Sequence, residues 1–277
     1  MYHQINRLKV KVEENNPMKI QLILLLVGSL FAFSVCAQTP EEKGLAIAKS
    51  VEKADEGWGD STANLNMVLR NRQGEESVRA IRLKSLEVQG DGDKSMSIFD
   101  SPRDVKGTAF LSFSHAIKPD DQWLYLPALK RVKRISSSNK SGPFMGSQFS
   151  YEDLASFEVE KYNYKYIRDE AHNGINTSVV ENYPNYKHSG YKRQIVWLDM
   201  DRKIPLKVEY YDRKNDLLKV LTFSDYQQYK GKFWRAHTQS MINKQNGKST
   251  LITMSDFKFD TGLRDKDFSK NALKRAR

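Results

Sequence analysis

Short runs of alternating apolar and polar residues fill most of this chain, and no other feature of the sequence constrains its fold as strongly. Leu65, Met67 and Leu69 alternate with other side chains, and a second alternating run, 78–84, follows a turn at 71–74. A period of two places successive side chains on opposite faces of a β-strand. The other runs with strand character are 94–99, 108–113, 122–126, 132–135, 159–167, 177–183, 191–198, 206–211, 217–226, 233–241 and 249–259.

Residues that favour turns separate nearly all of these runs, as at 91–93 and 212–215. About a dozen short strands at regular spacing predict one antiparallel sheet that is strongly curved or barrel-like. An amphipathic helix over 41–55 precedes the sheet, with apolar side chains on one face. No linker long enough to separate two domains and no internal repeat is visible, so we expect a single domain.

The first 37 residues have the layout of a secretory signal peptide. A short basic region precedes an apolar run over 22–33, and small residues lead to a cleavage point after Ala37. The apolar run is shorter than the ~20 residues that a membrane-spanning helix needs. We therefore expect residues 1–37 to be removed, with translation starting near Met18, and residues 38–277 to form the mature domain.

Cys36 supports a second interpretation, in which the chain is a lipoprotein acylated at this residue. Val35 stands directly before it, where lipoprotein processing requires Gly, Ala or Ser, so cleavage after Ala37 fits better. Cys36 is also the only cysteine. The mature chain is then expected to contain no disulfide and no thiolate metal site.

A motif within residues 120–154 connects the chain to a known family. Its core over 123–132, W-x-Y-x-P-x-x-K-x-V, resembles the central motif of the LolA-like outer-membrane lipoprotein-sorting proteins. The downstream sequence SSSNKSGPFMGSQFSYEDL resembles one branch of that family, and the resemblance extends over 44–277. It implies an incomplete, half β-barrel with a helical or loop lid. It also implies a monomeric periplasmic carrier of a Gram-negative bacterium, which holds acyl chains of lipoproteins or lipids in its hollow.

The alternation predicts which side chains would line such a hollow. Large apolar residues suit flexible acyl chains, and Met adapts its shape at little cost. The predicted inward positions are Leu65, Met67, Leu69, Met96, Ile98, Phe110, Leu124, Val196, Leu198, Leu221 and Phe223. The same side chains would also suit an ordinary filled core, and a register error of one residue would exchange the two faces of a strand.

The family motif itself carries two large aromatic residues on one face of a strand, Trp123 and Tyr125, followed by Pro127. We expect these three to be structural first, with a cavity-lining role as the alternative. The polar loop 136–142 leads to Phe144 and Met145, which are predicted to form the apolar tip of a lid over the barrel mouth. An ordinary exposed loop is the alternative.

Positive charge is concentrated next to this motif. The chain has a formal net charge of +11, and one cluster comprises Lys130, Arg131, Lys133 and Arg134. Two interpretations remain open: contact with an anionic membrane or a partner such as an inner-membrane transporter, or the solvent-facing side of a strand. No nucleic-acid-binding module is visible, and export argues against that class of partner.

Patterns typical of enzymes are missing from the sequence. There is no G-x-S-x-G, H-E-x-x-H or P-loop motif, and the histidines have no metal-ligand spacing. Neighbouring carboxylates such as Glu152 and Asp153 would point to opposite faces of a strand. We therefore expect a non-enzyme without cofactor or metal. The second hypothesis is a non-catalytic module that docks to a membrane transporter or an envelope complex.

Overall fold

The computed structural model describes residues 38–276, so the predicted signal peptide and Cys36 lie outside the described residues. Helix α1 spans Pro40–Ala54 and helix α2 spans Lys270–Arg275. Within these residues, no helix has the length and apolar character needed to cross a membrane. The strands are β1 (Asp60–Arg70), β2 (Glu76–Leu86), β3 (Lys94–Ser101), β4 (Ala109–Phe113), β5 (Asp121–Leu126), β6 (Arg131–Ile135), β7 (Tyr162–His172), β8 (Ile175–Pro184), β9 (Tyr191–Asp199), β10 (Ile204–Asp212), β11 (Leu217–Tyr229), β12 (Phe233–Asn243) and β13 (Ser249–Phe259).

These strands form one antiparallel sheet in the order β6-β5-β4-β3-β2-β1-β13-β12-β11-β10-β9-β8-β7. Strands that follow one another in sequence pair, except β6 and β7, and β1 also pairs with β13, which joins the two halves. Across residues 38–276, no pairing connects β6 to β7, so the sheet curves into an incomplete barrel. The mainly β fold with a single curved antiparallel sheet is therefore confirmed.

Helix α1 packs against β7, on the face of the sheet that we call the inner face. Its N-terminus is closed by a capping box: the Thr39 hydroxyl accepts the backbone N–H of Glu42, and the Glu42 carboxylate accepts that of Thr39. A Cβ at Gly44 would lie 2.8 Å from the backbone nitrogen of Tyr166. Only glycine therefore allows the helix to approach the strand this closely.

Residues 136–161 connect the two edge strands and run across the inner face; we call this segment the strap. It contains short 3-10 turns, and the one at Val159–Lys161 explains why β7 begins at Tyr162 rather than at the predicted residue 159. Phe144 of the strap is 2% exposed, and its ring centroid lies 5.2 Å from that of Phe110. The strap therefore belongs to the core of the domain.

Apolar side chains form two clusters on opposite faces of the sheet. The inner cluster contains Phe99 and Leu124, whereas their sequence neighbours Ile98 and Trp123 belong to the outer cluster. Phe268 and Leu273, from the C-terminal segment and α2, complete the outer cluster. Strands β3–β5 are consequently buried on both faces, which removes the simple alternation expected of a sheet with one solvated side.

Candidate functional site

A cavity of about 1040 Å³ lies between helix α1, the strap and the inner face of β7–β12. This is at the upper end of the roughly 300–1,000 Å³ that is usual for small-molecule sites. Its apolar floor comes from Val180, Val196 and Val208, which are cross-strand partners on β8, β9 and β10. All three are buried. The cavity thus presents a smooth aliphatic surface two strand spacings wide.

Aromatic side chains form much of the remaining wall: Phe157, Tyr162, Tyr164, Tyr210, Tyr226 and Trp234. Burial raises the pKa of Tyr162 to about 12 and also raises the pKa of Tyr210. These phenols therefore remain uncharged at neutral pH and can donate hydrogen bonds. The wall can contact both hydrocarbon and uncharged polar groups of a ligand.

Glu152 fastens the strap to the loop between β8 and β9. Its carboxylate is buried and accepts hydrogen bonds from the Tyr186 hydroxyl at 2.6 Å, the Ser189 hydroxyl at 2.5 Å and the Gly190 backbone N–H at 2.8 Å. Three donors satisfy the charge that burial would otherwise penalise. This end of the cavity is closed by hydrogen bonds.

Asp153 fastens the strap to two further strands. It accepts a hydrogen bond from the Tyr191 hydroxyl on β9 at 2.7 Å and pairs with the Lys219 ammonium on β11 at 2.6 Å. The side chains of Lys219 and Asp153 are only 4% and 3% exposed, so this is a fully buried ion pair. Glu152 and Asp153 lie in a 3-10 turn rather than on the predicted strand, and each is occupied by structural partners.

The opposite rim of the cavity is acidic. Glu52 of α1 accepts the backbone N–H of Val159, and carboxylate oxygens of Glu52, Glu158 and Glu160 lie within 4.8 Å of one another. Burial raises the pKa of Glu52 and Glu158, and burial with repulsion from Glu158 raises the pKa of Asp93 to about 7. These carboxylates disfavour an anionic group at this part of the rim, although Arg202, Lys203, Lys232 and Arg235 also line the cavity.

The predicted cavity residues divide into three groups. Val196, Leu198 and Phe223 line the cavity. Six others lie on the inner face but pack in the inner cluster without lining the cavity: Leu65, Met67, Leu69, Phe110, Leu124 and Leu221. The inner face of β1–β5 is thus occupied by core packing, with strap residues such as Phe144 and Phe149 in the same cluster.

Met96 and Ile98 form the third group, and their predicted inward orientation is wrong. Both lie in the outer cluster, and Phe99 is the β3 residue that reaches the inner cluster. Residues 96–99, with the sequence MSIF, place apolar side chains on both faces of β3. The outer ones are buried because the C-terminal segment covers that face. Periodicity cannot identify the inner face of a strand that is buried on both sides.

The motif residues lie away from the cavity. Trp123 is 8% exposed in the outer cluster with Tyr125 packed beside it, and its ring meets Phe113 edge-to-face at 5.2 Å. Pro127 begins a 3-10 turn, Pro127–Leu129, next to Gly107. These positions fit the structural interpretation; the effect of substituting them remains a prediction.

The apolar tip predicted for a lid is buried. Phe144 packs between Phe99, Phe110 and Tyr151, and Met145 packs against the inner cluster, with its carbonyl oxygen accepting a hydrogen bond from the Arg79 guanidinium. The exposed loop that was the alternative is therefore wrong for these two residues, and a lid function of the segment remains a prediction.

The basic cluster is exposed on the edge strand β6 and the residue before it. Lys130, Arg131, Lys133 and Arg134 are all exposed, none lines the cavity, and Arg134 pairs with Asp121. Their contact with a membrane or partner remains a prediction. Sequence reasoning did not identify the polar cavity residues Asn182, Gln194 and Tyr210, because polar positions in an alternating strand are normally assigned to the solvent face.

Comparisons with known proteins agree with this geometry. A family model described only as "-like: Uncharacterized protein" matches residues 91–275. A solved domain from Vibrio parahaemolyticus, provisionally described as an outer membrane lipoprotein-sorting protein, is 62% identical over 85% of this chain and 100% of that chain, with a TM-score of 0.84. This chain belongs to the LolA-like outer-membrane lipoprotein-sorting family.

Two further solved structures extend this LolA-like assignment. A DUF1329 family protein from Desulfovibrio piger is 32% identical over 85% of this chain and 99% of that chain, with a TM-score of 0.81. A LolA superfamily protein from Nitrosomonas europaea, 19% identical over 83% of this chain and 98% of that chain, shares the fold with a TM-score of 0.66. No curated protein sequence matches the chain significantly.

Proposed function

We propose that this LolA-like protein is a periplasmic carrier that binds acyl chains of lipoproteins or lipids in its cavity and moves them between membranes. The observation that carries the proposal is the cavity of about 1040 Å³ with its valine floor. Each methylene group removed from water contributes about 0.8 kcal/mol, so an acyl chain gains substantial binding free energy. The lipoprotein-sorting description of the 62% identical relative supports the same role.

The protein acts in this proposal by binding rather than by catalysis, and needs no cofactor or metal. Glu152 and Asp153, two carboxylates with buried side chains beside the cavity, hold the strap through hydrogen bonds and an ion pair. Residues 1–37 serve as the signal peptide, Cys36 is removed with them, and residues 38–277 act as a monomer. An inner-membrane transporter is the proposed donor of cargo, and the basic cluster on β6 the proposed contact with it or with an anionic membrane.

Mass spectrometry of organic extracts from protein purified under native conditions tests the carrier proposal. We expect co-purified lipid at a defined stoichiometry. Val208→Trp, which places an indole on the cavity floor, should reduce the lipid content strongly. The matched control is Val220→Trp, on the other face of the neighbouring strand β11, and should leave it unchanged. A native protein that carries no lipid would instead favour the docking module.

A further inference from the structure

A row of polar side chains crosses the floor of the cavity beside the valines. Asn182 is the cross-strand partner of Gln194, and Gln194 is that of Tyr210, on the adjacent strands β8, β9 and β10. All three line the cavity. We call these residues the polar row. Because strand residues two apart share a face, the row runs parallel to the floor of Val180, Val196 and Val208.

Two members of the polar row, Asn182 and Tyr210, have little exposed surface. Asn182 is 5% and Tyr210 is 7% exposed. Among the residues that the structure describes, none forms a hydrogen bond with the Asn182 amide or the Tyr210 hydroxyl. Within residues 38–276, the fully buried polar side-chain atoms without a partner are Arg79 Nε and His115 Nε2, so the polar atoms of Asn182 and Tyr210 are accessible from the cavity. Both groups face the cavity, so a ligand that enters it can supply the partner.

The charges around the polar row are already balanced. Lys219, the cross-strand partner of Tyr210, has its ammonium 5.2 Å from the Tyr210 ring centroid, but this ammonium is paired with Asp153. Glu152 lies beside Asp153 on the strap and adds a second buried carboxylate. Lys140 and Lys161 also line the cavity, and both pair with Asp120, so these ammonium groups already have a carboxylate partner. A ligand carboxylate or phosphate would have to take a cation from one of these pairs. An uncharged carbonyl or hydroxyl group would not.

The two rows together define an amphipathic surface. Asn182 offers both a donor and an acceptor, and Tyr210 offers a hydroxyl donor, whereas the valines offer only aliphatic contact. We propose that the cavity binds an acyl chain through its uncharged ester or amide carbonyl, which hydrogen-bonds to Asn182 and Tyr210 while the hydrocarbon lies along the valines. This inference rests on the proposed carrier function and names the chemical class of its cargo. Glycerolipids and the acylated end of a lipoprotein share this chemistry.

Displacement of an apolar fluorophore, N-phenyl-1-naphthylamine, from delipidated mature protein tests the inference. The competitors are monomyristin, which has an ester carbonyl, and myristate, which has the same chain with a carboxylate. A synthetic lipopeptide with a diacylglyceryl cysteine provides the lipoprotein arm. We expect monomyristin to bind more tightly than myristate at neutral pH. Comparison of monomyristin with the lipopeptide then shows which source of acyl ester the cavity prefers.

Tyr210→Phe removes only the unpaired hydroxyl and keeps the ring. We expect it to weaken monomyristin binding about three- to tenfold, as for the loss of one hydrogen bond, with fluorophore affinity unchanged. Asn182→Leu should have a similar effect. The matched control is Tyr211→Phe, the same substitution one residue along β10, whose hydroxyl donates to Glu209 on the other face. It should bind monomyristin like the native protein.

Each other outcome contradicts the inference in a distinguishable way. If both variants bind monomyristin with native affinity, or lose monomyristin and fluorophore equally, the polar row does not recognise the carbonyl, although the carrier function stands. If the native protein binds neither compound, the proposed function fails as well. Thermal melting checks that the variants are folded, and Tyr210→Phe should melt no lower than the native protein. Asn182→Leu tests recognition of the carbonyl by the polar row with a second, independent substitution.

Discussion

At the scale of single residues, the position of a side chain on one face or the other of the curved sheet decides its role. Trp123 and Leu124 are neighbours in the family motif, yet Trp123 packs under the C-terminal segment and Leu124 packs on the inner face with the strap. Lys270 adds its ammonium 4.8 Å from the Trp123 ring centroid. The aromatic residue of the motif thus joins the sheet to the C-terminus.

Trp123→Ala is expected to lower the free energy of unfolding by about 3–5 kcal/mol, because it leaves a large hole in the outer cluster. Fluorophore binding by the folded fraction should remain native, since Trp123 does not line the cavity. Urea unfolding and fluorophore titration measure the two effects. Trp234→Ala, in the cavity wall, should weaken fluorophore binding and lower the free energy of unfolding less than Trp123→Ala does. An unchanged stability with lost lipid binding in Trp123→Ala would assign Trp123 to the binding site.

Asp93 predicts how stability changes with pH. Its pKa is raised from 3.8 to about 7 by burial and by repulsion from Glu158 and Glu87. Between these values the folded protein keeps the proton that the unfolded chain releases, so the contribution of Asp93 to stability is fully present below about pH 4 and is lost as pH rises to about 7. Asp93→Asn should abolish part of this loss and melt higher than the native protein at about pH 8. Equal pH dependence of the two melting temperatures would contradict the assignment.

At the scale of elements, the strap is the segment whose position is least expected from local sequence. Its apolar residues fill the inner face of β1–β5, and its acidic turn at Glu152–Leu154 is bound to the strands on the other side of the cavity. The strap therefore divides the hollow of the half-barrel into a filled half and an open half. The cavity exists only on the open side, between α1 and β7–β12.

Lys219→Met is expected to cost about 3–5 kcal/mol of unfolding free energy, because Asp153 is then left buried and unpaired. Adding Asp153→Asn to this variant should restore part of the loss, since the remaining charge is removed while the side chain keeps its hydrogen-bonding capacity. Urea unfolding of the two single variants and the double variant gives the coupling free energy between Lys219 and Asp153. Additive losses would show that the ion pair does not hold the strap.

At the scale of the whole molecule, charge is distributed unevenly. The chain is basic overall, with a net charge of +11, but the rim near Glu52, Asp93 and Glu158 is acidic. The exposed cations of the β6 cluster lie on a free edge of the sheet. Leu129, 67% exposed, lies directly before them. This edge is the surface where an anionic partner would find positive charge.

Charge reversal of this edge tests its role. Arg131→Glu with Lys133→Glu should weaken binding to vesicles of anionic phospholipid steeply and leave the melting temperature nearly unchanged, because exposed charges contribute little to stability. Binding of the native protein should also weaken at high salt. Lys244→Glu with Lys248→Glu makes the same change of net charge at exposed positions in the β12–β13 turn and should have a much smaller effect. If vesicle binding changes neither with charge reversal nor with salt, the cluster is only the solvent-facing side of a strand.

The sequence by itself determined the strand content, the antiparallel sheet and the family. Period-two alternation and turn residues are local signals, and a family motif depends only on the order of residues. The helix predicted over 41–55 is present at Pro40–Ala54, and most predicted strands lie within observed ones. Val196, Leu198 and Phe223, which were predicted to face inward, line the cavity. Alternation alone did not require this on β9, where Trp197 between Val196 and Leu198 is buried as well.

Only the tertiary structure decided which half of the half-barrel is open. The burial of Phe144 in the inner cluster does not follow from its loop sequence, and Met96 and Ile98 were assigned to the wrong face, because contacts with distant segments determine both outcomes. The same holds for Asn182 and Tyr210, whose polar groups face inward. A polar residue in an alternating strand is expected to face water. Here α1 and the strap cover that face, and this cover is a property of chain packing that no local pattern contains.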